Sequence, residues 1–196
     1  MTLTRDQIST AADMALLVYQ DPSDWITYRD GFTTYIAVEG SDELADWRRN
    51  AEFLITSSSE HLGFGAYARE LMAQMWIARV EIDPNQDTII CGHSLGGAVA
   101  TIMAAQLQDQ LPLLQLVTFG SPRPGGRRFK QRLRVPHYRF VHANDVVPTM
   151  PMAACGFRHT CPATQLGARR WLRQLDGVHD HDMHIYRKLV NETPPV

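Results

Sequence analysis

The sequence predicts an α/β fold, a mainly parallel central sheet flanked by helices, in a single domain spanning residues 1–196. Apolar segments of strand length alternate with segments whose apolar residues recur at helical spacing through most of the chain. At the centre of this pattern, Ile89 to Cys91 form a short apolar run, and Val99 to Leu107 continue at helical spacing. This run is typical of a buried strand that leads directly into a helix.

The first forty residues predict a helix followed by a β-hairpin. Thr4 and Gln7 form a capping box, and the apolar residues that follow share one helix face. Two strand-like segments come next, Trp25 to Arg29 and Phe32 to Val38, joined by the turn dipeptide Asp30-Gly31.

Strands and helices continue to alternate along the remainder of the chain. The predicted elements are a helix opening at Asp42, a strand at Ala51 to Ile55, a helix from Phe64 to Ile82, strands at Leu113 to Phe119 and His137 to His142, and a helix at Asp182 to Val190. The pattern between Met150 and Gly177 is too weak to assign.

The junction between the central strand and its helix has the form of a nucleophile elbow, Gly-x-Ser-x-Gly, at residues 92–96. A sharp turn of this kind forces Ser94 into a strained backbone conformation and lifts its Oγ clear of the sheet. Gly92 and Gly96 lack a Cβ, so the strand and helix can pass closely. The helix then points free N–H groups, such as that of Leu95, at a developing oxyanion.

A second oxyanion donor is expected from the loop after an earlier strand. Ser41 follows the predicted strand Phe32 to Val38 and precedes a predicted helix. Its N–H is our candidate donor, although the same residue could simply cap that helix.

Composition gives few signs of partners other than a substrate. The chain is 44% hydrophobic and 20% charged, with a net charge of −2, which gives no reason to expect nucleic acid or an anionic membrane. No apolar run approaches the roughly 18 residues of a membrane span, and the N-terminus lacks a secretory signal pattern. We therefore expect a cytoplasmic location, with at most transient contact with lipid surfaces. The three cysteines indicate neither a disulfide framework nor a metal site.

A nucleophilic serine needs a histidine to accept its proton and a carboxylate to orient that histidine. In α/β-hydrolases the three follow in the order Ser, Asp, His. Asp145 lies after a predicted strand, at the sheet edge where catalytic groups of open α/β sheets gather, and is the candidate acid. The other aspartates after the elbow lie on a helix, come too late or lie too near the histidines: Asp109, Asp176, Asp180 and Asp182.

Four histidines follow Asp145 and could serve as the base: His159, His179, His181 and His184. Position alone does not decide among the last three.

Several motifs, in order, resemble the class-three lipases, a family with fungal, plant and bacterial members. The resemblance covers roughly residues 33 to 190. The matching segments are Tyr35 to Ser41 with Asp46-Trp47, His61 to Phe64, Gly92 to Gly97, Thr118 to Arg123, Asp145 to Pro148, Gly156 to His159, and Asp180 to Tyr186. Two residues depart from the family pattern, which usually has arginine at Glu39 and often asparagine at His142.

The resemblance implies a base and supports both oxyanion donors. Plant and bacterial members place the catalytic histidine at the start of a His-x-Met/Leu-x-x-Tyr segment, which corresponds to His181. Fungal members have a shorter spacing to the aromatic residue, so His184 remains an alternative. The resemblance also supports the amides of Ser41 and Leu95 as oxyanion donors.

Together these features predict an α/β-hydrolase that cleaves carboxylic esters of lipids, without a metal or organic cofactor. Two alternatives remain: a lipase-like binding module that has lost catalysis, and phospholipase or thioesterase chemistry on the same three residues. The interval from Asn50 to His61 is short and serine-rich, so we also expect a minimal lid and a solvent-open pocket.

Overall fold

The computed structural model describes residues 2–40, 59–168 and 179–192. The strands are β1 (Trp25–Asp30), β2 (Thr33–Val38), β3 (Asp87–His93), β4 (Leu114–Phe119), β5 (Gly125–Gly126), β6 (His137–His142), β7 (Phe157–Arg158) and β8 (Thr164–Leu166). The α-helices are α1 (Arg5–Leu17), α2 (Leu62–Ile77), α3 (Ser94–Leu107), α4 (Arg127–Arg132) and α5 (Met183–Glu192). Short 3-10 helices cover Val18–Gln20, Val147–Thr149, Ala153–Cys155 and His179–His181.

The main sheet has the strand order β1-β2-β3-β4-β6-β8. The first two strands form the predicted antiparallel hairpin, and its turn uses Gly31 at φ +56°. Every other pair in this sheet is parallel. The structure thus confirms a mainly parallel sheet that begins with the predicted hairpin and follows an N-terminal helix.

Side chains from the two faces of the sheet form two separate cores. On one face, Ile36 and Ile90 pack with α2 and α3. On the other, Tyr35 and Ile89 pack with α1 and α5. Because neighbouring residues of a strand point to opposite faces, the apolar runs of the central strands cover both cores at once.

The start of α1 is as predicted, whereas the end of α2 is not. The capping box at Thr4 and Gln7 is present, with both reciprocal hydrogen bonds. The predicted helix to Ile82 is wrong, because α2 ends at Ile77. Arg79 adopts the left-handed conformation at φ +52°, and the N–H of the next residue donates to the Met75 carbonyl at 3.1 Å, which closes the helix.

Two predicted elements, the helix opening at Asp42 and the strand at Ala51 to Ile55, lie outside the described residues. The segment that the sequence left unassigned contains β7 and β8, of which β8 extends the parallel sheet. Among the described residues, no helix combines the length and apolar character needed to cross a bilayer.

Backbone contacts between β2, β3 and α3 leave no room for side chains at two glycines. A Cβ on Gly92 would lie 2.5 Å from the carbonyl carbon of Gly96. A Cβ on Gly96 would lie 2.2 Å from the carbonyl oxygen of Val38. Since backbone atoms cannot move aside as a flexible side chain can, these positions fix how closely the helix approaches the sheet.

We predict that Gly92→Ala lowers the free energy of unfolding by about 1–3 kcal/mol, because the new methyl group overlaps backbone atoms. Gly63→Ala is the matched control. Gly63 is exposed in α2, and its added Cβ would lie 3.5 Å from the nearest atom, an ordinary contact. The control should be neutral or stabilising by up to about 1 kcal/mol. Urea unfolding measures both, and equal stability of the two variants would contradict the argument.

Candidate active site

Ser94 lies at the sharp turn between β3 and α3, where the sequence predicts a strained serine. Its φ is +55°, in the left-handed region that residues other than glycine rarely adopt. The preceding residue, His93, is extended, so the chain reverses direction at the serine. Strain of this kind persists only where the surrounding packing enforces it, as the close glycine contacts do here.

The structure brings Asp145 and His181 together. His181 Nδ1 lies 2.8 Å from Asp145 Oδ2. The same oxygen accepts a hydrogen bond from the Tyr186 hydroxyl at 2.6 Å, and Asp145 Oδ1 accepts one from the Val147 N–H at 2.9 Å. A buried carboxylate needs such donors to replace its lost hydration. This arrangement fixes the orientation of both the carboxylate and the imidazole.

Gly120 makes room for this pair. Its φ is +56°, and an added Cβ would lie 2.7 Å from Asp145 Oδ2 and 3.0 Å from His181 Nδ1. The sequence showed Gly120 only as part of a turn after β4. Its role depends on the contact between two loops distant in sequence, which no local pattern encodes.

The Tyr186 hydroxyl joins the acid to the end of β6. It donates to Asp145 and accepts from the backbone N–H of His142 at 2.9 Å. Burial and the nearby Asp145 charge raise the pKa of Tyr186 well above 10, so the hydroxyl stays protonated and can donate. In the sequence this tyrosine is only the end of a motif, and no local pattern predicts its contact with Asp145.

A second set of hydrogen bonds joins the loops that carry Asp145 and His181. The Asn144 N–H donates to Asp180 Oδ2 at 3.1 Å. His142 Nδ1 lies 3.0 Å from the Asp180 carbonyl oxygen and donates to it. Residues immediately before the acid therefore bind residues immediately before the histidine, which keeps the two side chains in register.

His93, within the elbow, contacts the backbone of His181. Its Nε2 donates to the His181 carbonyl at 2.8 Å, and its Nδ1 lies 2.9 Å from the Tyr19 hydroxyl, which donates to it. Burial, followed by the neighbouring His181, lowers the pKa of His93 well below 6.5. The ring therefore stays neutral, in the tautomer that both contacts require.

Ser94 Oγ and His181 Nε2 have no hydrogen-bond partner among the described residues, and both atoms are buried. The two therefore do not bond each other in this structure. Hydrogen bonds between a nucleophile and its base are often long without substrate and shorten only in the reacting complex. The imidazole keeps its second nitrogen unoccupied while the first contacts Asp145.

The other candidate histidines lie elsewhere. His159 Nε2 donates a hydrogen bond to the Pro148 carbonyl oxygen at 2.7 Å. His179 and His184 are exposed. Among the other carboxylates, Asp109 is exposed and pairs with Arg134, and Asp176 lies outside the described residues.

Leu95, the first of the two candidate oxyanion donors, lies in the opening turn of α3. The first amides of a helix have no intrahelical acceptor, so its N–H is available to a ligand. Ser41 lies outside the described residues. The preceding residue, Gly40, approaches the elbow, since an added Cβ there would lie 2.8 Å from the His93 carbonyl oxygen.

The site is buried in this conformation. Ser94 is 1% exposed and His181 is 7% exposed. The solvent-open pocket stays a prediction, since residues 41–58 lie outside the described residues. The interval on which the minimal lid was predicted lies, up to residue 58, outside the described residues.

The described residues contain no cluster of side chains suited to a metal ion. No cluster of three or more His, Cys, Asp or Glu side chains occurs there in an arrangement that could hold a metal ion. Cys91, Cys155 and Cys161 are free thiols.

The chain belongs to the class 3 lipase family, whose model, described as Lipase (class 3), matches residues 35–154. A relative named secreted mono- and diacylglycerol lipase 1, from Fusarium solani, is 34% identical over 139 residues, 65% of this chain and 42% of the relative. The chain therefore spans less than half the length of that relative.

Solved structures confirm the α/β-hydrolase fold. A lipase from Rhizopus microsporus var. chinensis superposes with a TM-score of 0.66 at 22% identity, covering 85% of this chain and 76% of that chain. A triacylglyceride lipase from Rhizomucor miehei gives a TM-score of 0.63, also at 22% identity, covering 81% and 77%.

We predict that Tyr186→Phe destabilises the protein by about 1–3 kcal/mol, because the buried His142 N–H loses its acceptor and Asp145 loses a donor. Tyr28→Phe is the control, since Tyr28 is 47% exposed. Its effect should stay within about 0.5 kcal/mol. Urea unfolding of the two variants measures the difference, and equal losses would contradict the assigned role of the hydroxyl.

Stability should fall as the pH drops below about 6.5, the ordinary pKa of histidine. Burial lowers the pKa of His61 to about 4 and that of both His137 and His159 to about 3. The unfolded chain therefore binds more protons than the folded protein between about pH 4 and 6.5, and the unfolding free energy rises with pH across that window.

A variant that keeps the cap of α2 can show how much His61 contributes to this pH dependence of the unfolding free energy. His61 Nδ1 accepts from the Phe64 N–H and caps α2, a task that asparagine also performs. His61→Asn should reduce the loss between pH 7.5 and 5 by roughly 2 kcal/mol, about one group's share. The exposed His184→Asn should not. Urea midpoints that stay constant from pH 7.5 to 5 in the parent would contradict the prediction.

Proposed function

We propose that this chain hydrolyses carboxylic esters of lipids, with Ser94 as nucleophile, His181 as base and Asp145 as the acid that orients the base. The observation that carries the proposal is the buried Asp145–His181 pair, 2.8 Å apart, with the second imidazole nitrogen unoccupied beside the elbow. Membership of the class 3 lipase family supports the same reading.

The first chemical step would form an acyl-enzyme. Ser94 Oγ attacks the ester carbonyl carbon while His181 Nε2 accepts the hydroxyl proton. The tetrahedral intermediate collapses when the C–O bond to the alcohol breaks, and His181 returns the proton to the departing alcohol. Water then repeats the sequence, releasing the carboxylic acid and restoring the serine.

Asp145 would act by holding His181 in one tautomer. Because Nδ1–H donates to the carboxylate, Nε2 carries the lone pair that accepts the serine proton. The imidazolium formed during the reaction then faces a negative charge. Tyr186 and the Val147 N–H hold the carboxylate in place, so it need not reorganise as that charge develops.

The negative charge on the tetrahedral oxygen requires donors that are already in position. We assign this role to the Leu95 amide at the start of α3 and to the Ser41 amide. A single preorganised donor of this kind contributes roughly 10²–10³ in kcat.

The proposed substrates are acylglycerols. The name of the Fusarium solani relative specifies mono- and diacylglycerols, and the name of the Rhizomucor miehei enzyme specifies triacylglycerides. The cytoplasmic location stays a prediction without support, since the Fusarium solani relative is named as secreted. Phospholipids and acyl thioesters are the alternative substrates for the same three side chains, and contact with a lipid surface would be transient.

We predict that Ser94→Ala and His181→Ala each lower kcat by about 10⁶, and that Asp145→Ala lowers it by roughly 10⁴. Hydrolysis of p-nitrophenyl butyrate measures all three. Exposed Ser23→Ala and His184→Ala are matched controls that should leave kcat unchanged. If His184→Ala abolishes activity while His181→Ala does not, the base is misassigned.

A binding module without catalysis is the rival function. A fluorophosphonate probe separates the two, since it reacts covalently only with an activated serine. We expect one probe per chain, with none on Ser94→Ala. Failure of the folded parent to label would favour the binding module. A panel of monoacylglycerol, triacylglycerol, phosphatidylcholine and an acyl thioester then identifies the substrate class.

A further inference from the structure

A cavity of about 380 Å³ lies beside the loop that carries Asp145. Its walls come from β6, from the turn after β4 and from the segment before β8. The described lining residues that matter here are Arg123, Arg139, Asn144, Thr149 and His159. Asp145 also lines it, whereas Ser94 and His181 are not among its described lining residues.

Among the described residues, both arginines in this cavity donate to carbonyl groups, and Arg139 also contacts the Cys161 side chain. Arg123 Nη1 donates to the Thr149 carbonyl and to that of Pro151, the latter at 2.8 Å. Arg139 Nε donates to the Cys161 carbonyl at 3.2 Å. No ion pair within residues 2–40, 59–168 and 179–192 joins either guanidinium to a carboxylate.

Within the part of the chain that the structure describes, most N–H donors of these two arginines have no acceptor from the protein. Each guanidinium carries five N–H donors, and these contacts occupy a minority of them. Arg139 Nη1 is buried and has no partner among the described residues. A buried donor without an acceptor is costly, so this nitrogen favours a ligand that accepts a hydrogen bond.

The charges around the cavity favour an anion. Burial lowers the pKa of both guanidiniums, and the presence of Arg123 lowers that of Arg139 further, as expected for two cations that repel each other. Asp145 is the only described carboxylate in the lining, and its oxygens are already bonded to His181, Tyr186 and Val147.

The neighbouring imidazole adds no charge. His159, whose pKa burial lowers to about 3, is neutral near pH 7. The two arginines thus outweigh the single carboxylate in the lining.

We propose that this cavity binds a small oxyanion, a phosphate or a carboxylate, between Arg123 and Arg139. The planar donor fork of arginine matches paired oxygens, and the volume accommodates a phosphate monoester or a short-chain carboxylate. Such an anion would connect β6 to the loop that precedes Pro151, because Arg123 already binds carbonyls of that loop. Binding would therefore stabilise the segment on which Asp145 lies.

Calorimetric titration at constant ionic strength, with chloride as the reference anion, tests this without requiring hydrolysis. The probes are inorganic phosphate, phosphocholine and hexanoate. We expect saturable binding of at least one probe and a rise in Tm that grows with the logarithm of its concentration. Preference for phosphocholine would indicate a lipid headgroup, preference for phosphate the free ion, and preference for hexanoate a released carboxylic acid.

Variants assign the binding to the cavity. Arg123→Gln and Arg139→Gln should each weaken binding by roughly 10- to 100-fold, the effect of losing a charge-assisted hydrogen bond. Arg128→Gln, an exposed arginine on α4, is the matched control and should bind as the parent does. Arg123→Lys and Arg139→Lys keep the charge and provide folded proteins if a glutamine variant fails to fold; they should bind more weakly than the parent.

The absence of saturable binding of all three probes to the folded parent would overturn the proposal. It would also be overturned if Arg128→Gln weakened binding as much as the cavity variants, or if the cavity variants bound like the parent. These outcomes are independent of ester hydrolysis, so the anion site and the proposed activity can fail separately.

Discussion

The close passage of α3 across β2 and β3 is the constraint on which the rest of this molecule depends. A Cβ on Gly92 or Gly96 would overlap backbone atoms, which cannot move aside as a flexible side chain can. This contact holds Ser94 in the left-handed conformation at the carboxyl edge of a parallel sheet. The loops after β4 and β6 reach the same edge, where Gly120 makes room for the contact between Asp145 and His181.

Around that serine, a buried charge is held by partners from several segments. The Asp145 carboxylate receives hydrogen bonds from its own loop, from α5 and from His181. His93 donates to the His181 carbonyl, and Tyr19 in turn donates to the His93 ring. Because each donor comes from a different part of the chain, the geometry of the site depends on the whole fold, and loss of one donor should affect both stability and the orientation of the imidazole.

Local patterns in the sequence were sufficient for β1, β2, β3, β4 and β6, for the capping box at Thr4 and for the elbow, whereas β8 lies in the segment they left unassigned. Position alone left His179, His181 and His184 open, and the family resemblance favoured His181. In the structure it is His181 that contacts Asp145. The early end of α2 depends on Arg79 in a conformation usually occupied by glycine. Gly120 and Tyr186 act across long sequence separations, so neither pattern nor spacing could assign their contacts. The buried state of Ser94 likewise follows from packing.

In the proposed mechanism, Asp145 holds His181 with its proton on Nδ1, leaving Nε2 free for Ser94. Nitrogen chemical shifts of the His181 ring, assigned by comparison with His181→Gln, report this tautomer directly at neutral pH. We expect a protonated Nδ1 and an unprotonated Nε2 in the parent, and loss of this tautomer preference in Asp145→Asn. A proton on Nε2 in the parent, or an unchanged spectrum in Asp145→Asn, would contradict it.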